Sequence, residues 1–203
     1  MIVDLEFIHY LPRAGAAVAA AYEALIAKGD TPAPLFGYWS VDVGPLNSAV
    51  LMWSYESAAE RERVLDDAAN KAWPPLLGGT ILARESMLLH PASFTGPLVA
   101  GEHGAIYEIR IYDYEAGSVD TVAERWTEMV EVRRTISPLI GCFSSRGENV
   151  DKWVHIWPYA DGRAREIARA QAGVGGIWPP ETGKWLLHQE NMIVLPSQFS
   201  PLH

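Results

Sequence analysis

Tyr107-Glu108-Ile109-Arg110-Ile111-Tyr112 alternates residue by residue: Tyr107, Ile109 and Ile111 fall on one side, Glu108, Arg110 and Tyr112 on the other. Successive side chains of a strand point to opposite faces, so this is a β-strand with two unlike faces. The pattern has a partner near the start of the chain. Asp4-Leu5-Glu6-Phe7-Ile8 lies on Glu108-Ile109-Arg110-Ile111-Tyr112 at a shift of 104. Moving outward, Gly37-Tyr38-Trp39 falls on Gly141-Cys142-Phe143, and Trp53-Ser54-Tyr55 on Trp157-Pro158-Tyr159, at the same shift. Trp73-Pro74-Pro75 falls on Trp178-Pro179-Pro180, and Glu85-Ser86-Met87 on Glu190-Asn191-Met192, at 105. His90-Pro91 and Phe94 then fall on Leu195-Pro196 and Phe199. Matches in one order at nearly one spacing mark an internal repeat. Residues 1–98 and 104–203 are read as the two repeats, and 99–103 as a short linker.

The rest of each repeat follows from periodicity. An Ala-rich helix is expected over Ala14–Lys28, stopped by Gly29. Its counterpart opens at Ser118 as N-cap and carries Val119, Val122, Ala123, Trp126, Met129 and Val130 at helical spacing. Strands are expected at Leu35–Val41 and Leu139–Ser145, and at Ala49–Tyr55 and Trp153–Tyr159. A second helix opens at Ser57, where Ser57-Ala58-Ala59-Glu60 fits a capping box, and its counterpart starts near Asp161. The last strands are Ile81–Leu89 and Trp185–Leu195. Each repeat thus reads β-α-β-β-α-β, the split βαβ or ferredoxin-like order, and the fold class is α+β. A four-stranded antiparallel sheet with helices on one face leaves its other face bare, and a second copy can cover it.

Composition narrows the function classes. The chain has 203 residues and a formal charge of −9, which argues against a general nucleic-acid binder. A single cysteine, Cys142, excludes an intramolecular disulfide framework, and Cys142 itself reads as a small core residue. No apolar run reaches the ~18 residues of a membrane span, and the opening Met1–Arg13 lacks the shape of a signal peptide. The expectation is a cytoplasmic protein with no membrane or nucleic-acid partner. Walker A, paired-glycine dinucleotide, His-Glu-x-x-His and Gly-x-Ser-x-Gly motifs are absent.

Tyr107–Tyr112 as an opening strand, Val43-Gly44-Pro45-Leu46-Asn47 with Met52–Ser57 as a central hairpin, and Ala58–Arg63 as a helix start resemble the NIPSNAP family. So do the closing segments Leu89–Phe94 and Leu195–Pro201. The resemblance spans almost the whole chain, once per repeat. It implies antiparallel sheets packed as an intrachain dimeric α+β barrel. Its superfamily includes cofactor-free monooxygenases, haem-degrading enzymes, dehydratases and isomerases. Members of the family itself mostly lack an assigned reaction, and fold does not fix function. The two copies depart from the pattern in complementary ways. Gly-Pro-Leu-Asn is intact in the first copy but reads Gly147-Glu148-Asn149-Val150-Asp151 in the second, whereas the His-x-Trp-x-Tyr of strand three is intact as His155, Trp157 and Tyr159 in the second and has Leu51 in the His place, beside Trp53 and Tyr55, in the first. Any site is therefore asymmetric.

Candidate site residues come from polar groups on interior faces. Tyr107, Ile109 and Ile111 are expected to pack on the helices, leaving Glu108, Arg110 and Tyr112, with Asp4 and Glu6, facing the space between the sheets. Such groups either pair with one another or line a pocket in which Arg110 holds an anion and a carboxylate serves as base. His155 shares its strand face with Trp153, Trp157 and Tyr159, a setting for a planar ligand and for proton transfer, or for a core histidine bonded once. The expected catalytic residues are His155, Glu108 and Arg110. The expected substrate-binding residues are Glu6, Tyr112, Trp53, Trp157, Tyr159 and His188. No metal and no cofactor are expected. Trp73-Pro74-Pro75 and Trp178-Pro179-Pro180 are read as helix stops, with pocket lids as the alternative. The function expected is a small-molecule enzyme acting on an aromatic or polyketide-like substrate by acid–base chemistry or cofactor-free oxygenation, in a chain that is a pseudo-twofold monomer or a homodimer. The alternative is a non-catalytic ligand-binding or protein-interaction module.

Overall fold

The computed structural model describes residues 1–68, 73–75, 77–176 and 178–203. The chain divides into two compact units, one formed by Met1–Leu89 with Val194–His203, the other by His90–Ile193. The N-terminal unit contains β1 (Ile2–Tyr10), α1 (Gly15–Lys28), β2 (Leu35–Val43), β3 (Ser48–Tyr55), α2 (Ala58–Ala68) and most of β4 (Ile81–Pro91). Its strands are antiparallel in the order β4-β1-β3-β2. The C-terminal unit contains β5 (Ile106–Glu115), α3 (Val119–Arg134), β6 (Gly141–Ser145), β7 (Val150–Tyr159), α4 (Gly162–Gly173) and most of β8 (Leu186–Pro196), in the order β8-β5-β7-β6. The registers coincide as well. Glu6 faces Leu51 and Asp4 faces Trp53, just as Arg110 faces His155 and Glu108 faces Trp157.

Each unit takes its closing segment from the other repeat. In the N-terminal unit, Ser197 N donates to Tyr38 O at 3.0 Å and Leu202 N to Phe36 O at 2.9 Å, while Tyr38 N donates to Ser200 Oγ at 3.0 Å. In the C-terminal unit, Ala92 N donates to Cys142 O at 2.9 Å and Cys142 N to Thr95 Oγ1 at 3.0 Å. Phe199 packs on Tyr38 in one unit and Phe94 on Trp153 in the other. The glycine anchors of the repeat have a steric cause. A Cβ on Gly141 would stand 2.7 Å from the ring of Phe143, and one on Gly37 would collide with the ring of Trp39.

Local signals explain most element ends. Gly29 is left-handed at φ 74° and closes α1, with Asp30 N returning to Leu25 O at 3.0 Å. Glu60 N donates to Ser57 Oγ at 3.1 Å, and Asp161 Oδ1 accepts from Ala164 N at 2.7 Å, as helix caps do. Ser118 does not cap α3. Its hydroxyl turns back to Glu115 O at 2.6 Å. The cap is instead the fully buried Asp151 of β7, whose Oδ2 accepts from Gly117 N at 2.9 Å and Val119 N at 3.1 Å. No helix among the described residues is long and apolar enough to cross a membrane.

The face assignment is the reverse of that expected from the sequence. Tyr112 and Tyr114 of β5 pack with Val122 and Trp126 of α3, and Trp153, Trp157 and Tyr159 of β7 join the same cluster. Glu108 meets arginines of α4. It is therefore the polar face of β5, not Tyr107, Ile109 and Ile111, that lies against the helices. The N-terminal unit repeats this, with Ile8 and Tyr10 in the cluster that holds Val18, Tyr22 and Leu25 of α1. Both faces of β5 are buried, so alternation separates the faces without saying which one the helices cover.

Candidate ligand-binding site

The polar face of β5 and β7, the inner sides of α3 and α4 and the Trp178-Pro179-Pro180 loop enclose a cavity of about 330 Å³ within the C-terminal unit. Its lining includes Glu108, Arg110, Tyr112, Trp126, Arg133, His155, Tyr159, Arg169 and Trp178. It lies between sheet and helices, not between sheets.

His155 sits on the floor, 2% exposed. Residues two apart on a strand share a face, and Trp157 Nε1 donates to His155 Nδ1 at 2.5 Å. An accepting Nδ1 fixes the neutral tautomer with the proton on Nε2. Among the described residues Nε2 has no hydrogen-bond partner. Tyr112 stands edge-on to the imidazole at 4.9 Å and Trp126 tilts over it at 4.7 Å. Burial holds the pKa well below the usual imidazole value, and the charges of Arg110, Arg133 and Arg169 add to the shift. His155 is thus a neutral donor at physiological pH.

The cations come from three elements. Arg133 is 4% exposed and falls on the apolar stripe of α3 that also carries Val119, Val122, Trp126 and Val130. Its guanidinium stacks on Trp157 at 4.3 Å and bonds Ser137 Oγ at 2.6 Å. No carboxylate among the described residues lies within ion-pair distance of it, its Nε has no partner, and burial lowers its pKa. Glu108 is the one carboxylate among the described residues of the lining. Its Oε1 accepts from Arg165 Nη2 at 2.6 Å and Arg169 Nη1 at 3.3 Å, with Arg110 Nη1 at 4.0 Å. A carboxylate so engaged anchors the arginines of α4 beside the sheet.

The N-terminal unit holds the pseudo-equivalent cavity, about 180 Å³, lined by Asp4, Glu6, Trp53, Tyr55, Arg61, Trp73 and Arg84 among others. Here each carboxylate has its cation. Asp4 pairs with Arg61 at 2.5 Å, and Glu6 with Arg84 at 3.3 Å. Trp53 Nε1 donates to Glu6 Oε2 at 2.9 Å, the counterpart of the Trp157–His155 bond. Burial raises the Glu6 pKa against the opposing effects of Trp53 and Arg84.

The expected site residues therefore separate. Arg110, Tyr112, Glu108, His155 and Tyr159 meet in the C-terminal cavity, whereas Glu6 and Trp53 belong to the other unit's cavity. Trp157 lies behind the lining, holding His155 and Arg133. His188 does not join: it is exposed and pairs with Glu190 at 3.1 Å, while the neighbouring Gln189, also exposed, is the residue of this stretch that borders the cavity. Both Trp-Pro-Pro loops are walls and not merely helix stops. Trp178 packs edge-on against Trp126 at 4.8 Å and Trp73 against Trp53 at 4.9 Å. Sequence reasoning missed Arg133, Arg165 and Arg169. A charge on an otherwise apolar helical stripe was the available signal for Arg133.

Two ferredoxin-like repeats in one chain, each with a cavity under its helices, define a protein of the dimeric α+β barrel class. The likeness extends to solved structures: a putative monooxygenase from Fusobacterium nucleatum superposes at a TM-score of 0.63 with 10% identity, over 96% of this chain and 91% of that one. An anthrone oxidase-like protein superposes at 0.61 with 9% identity, over 97% and 91%. Within the class the chain belongs to the NIPSNAP family, whose model matches residues 6–95 and again 107–201. Protein NipSnap of Drosophila melanogaster is 23% identical over 185 residues, covering 86% of this chain and 67% of that protein.

Proposed function

We propose that this chain is a small-molecule enzyme whose site is the C-terminal cavity. It binds a planar, aromatic or polyketide-like substrate and stabilises the anion formed when a phenolic or enolic group of that substrate loses its proton. The observation that carries the reading is His155 Nε2–H, a buried donor with no partner among the described residues, in a cavity walled by Tyr112, Trp126 and Trp178. A preorganised donor in a water-poor site stabilises negative charge developing on a substrate oxygen far better than the same donor in water. The arginines add to it, and the proton passes to solvent water. An enol or phenol deprotonated in this way is the species that isomerases and cofactor-free oxygenases need, and the superposing proteins are described as a putative monooxygenase and as anthrone oxidase-like. That likeness is one of fold.

The test is the acidity of a bound phenol. 2-Naphthol titrated spectroscopically in the presence of the protein should ionise at a pH lower by about one unit or more, since one unit corresponds to about 1.4 kcal/mol of preference for the anion. His155→Gln should remove most of that shift. Binding with unshifted acidity would mean that the cavity only holds its ligand, the reading favoured by Glu108 Oε1 being already engaged by arginines. Absence of binding would end the proposal.

A further inference from the structure

We infer that the molecule taken up by the C-terminal cavity carries a carboxylate on a flat ring, and that the N-terminal cavity is the same site filled by the chain's own carboxylate, Glu6. This rests on the C-terminal cavity being a small-molecule site, as proposed above.

The argument comes from the two cavities compared position by position. At shifts of 104 and 105, Asp4 corresponds to Glu108, Arg61 to Arg165, Trp53 to Trp157 and Trp73 to Trp178. These keep their roles: the Asp4–Arg61 pair and the Glu108–Arg165 pair are the same ion pair, at 2.5 and 2.6 Å. The changes fall on the remaining polar positions. Glu6 becomes Arg110, Arg84 becomes Gln189, Leu51 becomes His155, Leu65 becomes Arg169 and Gly29 becomes Arg133. The charge balance changes with them. The N-terminal lining has two carboxylates and two arginines, Asp4 and Glu6 with Arg61 and Arg84, and is neutral. The C-terminal lining has Glu108 against Arg110, Arg133 and Arg169, 3 − 1 = +2, in a chain whose formal charge is −9.

Glu6 shows what the missing anion does. Its carboxylate accepts from Trp53 Nε1 and from Arg84 beneath the Trp73 wall. In the C-terminal unit no carboxylate among the described residues takes that place. Trp157 Nε1 is satisfied by His155 instead, and the imidazole is left with Nε2–H unpaired beside two under-partnered guanidiniums, whose Nε atoms on Arg110 and Arg133 also lack acceptors. Buried donors and cations without acceptors are costly, and a carboxylate from outside satisfies them by charge-assisted hydrogen bonds. The larger cavity, 330 against 180 Å³, leaves room for the ring that carries it. Tyr112, Trp126 and Trp178 offer that ring aromatic faces and edges.

Titration calorimetry of the whole chain with benzoate, 2-naphthoate and anthracene-2-carboxylate, each beside its carboxamide, tests this. At least one carboxylate should bind one per chain and about tenfold or more tighter than its amide, the scale of a charge-assisted hydrogen bond. The double variant Arg110→Glu/Gln189→Arg rebuilds the N-terminal pair in the C-terminal cavity. It should melt cooperatively and lose the carboxylate. The single variant Arg133→Gln should lose most of the preference over the amide. Equal binding of acid and amide would overturn the carboxylate assignment while leaving the small-molecule site standing. Competition by inorganic phosphate at equal concentration would also overturn it, showing an unselective anion site. Two ligands per chain would overturn the assignment of Glu6 as the resident anion. Binding of none would overturn both this inference and the reading on which it rests.

Discussion

His155 shows how much of the site turns on one proton. Its Nδ1 is engaged by Trp157 and its pKa is depressed by burial and by three arginines. The folded chain keeps it neutral where the unfolded chain, with the ordinary value of 6.5, takes up a proton. A group whose folded pKa is lowered in this way contributes nothing adverse above pH 6.5, and the chain loses stability as pH falls below it. The loss is at most about 1.4 kcal/mol per pH unit for one proton. Chemical denaturation from about pH 7.5 to 5 should show this slope in the wild type and a shallower one in His155→Gln; parallel slopes would mean that the imidazole is accessible to protons in the fold. The residue itself was legible from the sequence, since a histidine among aromatics at period two stands out on one strand face. Its direction was not. The apolar Tyr107, Ile109 and Ile111 suggested the helix-covered face, yet the helices bring Arg133, Arg165 and Arg169, and it is the polar face that answers them.

At the scale of elements, the order and approximate limits of strands and helices were legible because periodicity changes cleanly from two to 3.6 within each repeat. The capping of α3 was not. Ser118 looks like a cap by position, but a carboxylate 33 residues further along does the work, and only the β5–β7 register brings it there. Asp151 accepts from Gly117 N, Val119 N and, at 3.3 Å through Oδ1, Gly147 N, so it ties the helix start to the β6–β7 turn. Asp151→Ala should therefore cost about 2 kcal/mol in urea unfolding, because the buried Val119 N–H and the half-buried N–H groups of Gly117 and Gly147 lose their acceptor together. Ser118→Ala should cost about 1 kcal/mol or less, since its hydroxyl only returns to a carbonyl. Equal losses would restore Ser118 as the cap. The element carrying the site is α3 itself, whose apolar stripe ends in Arg133, so disturbance of its first turn should also weaken ligand uptake.

The molecule as a whole is organised by two repeats that finish each other's units. Thr95 serves Cys142, and Ser200 serves Tyr38, at matching positions of the two copies. The repetition was visible in the sequence as constant offsets, but the exchange was not, since an offset says which residues correspond and not which ones touch. A protease site placed within residues 99–103 tests it. The cut chain should run as a single species in size-exclusion chromatography, whereas residues 1–103 expressed alone, lacking Val194–His203, should melt without cooperativity. Two fragments that separate and each melt like the intact chain would show that the closing segments are dispensable.

Because Val194–His203 completes the unit that holds Met1–Leu89, an early-made sheet is finished by a segment synthesised only after the whole of His90–Ile193. Domains ordinarily fold in turn as they emerge. Here the N-terminal sheet must wait, its β2 backbone still bare around Phe36 and Tyr38, until Val194–His203 has been translated. The C-terminal unit, whose pieces are contiguous from His90 to Ile193, is under no such delay, so the half that holds the larger of the two paired cavities is the half able to mature first.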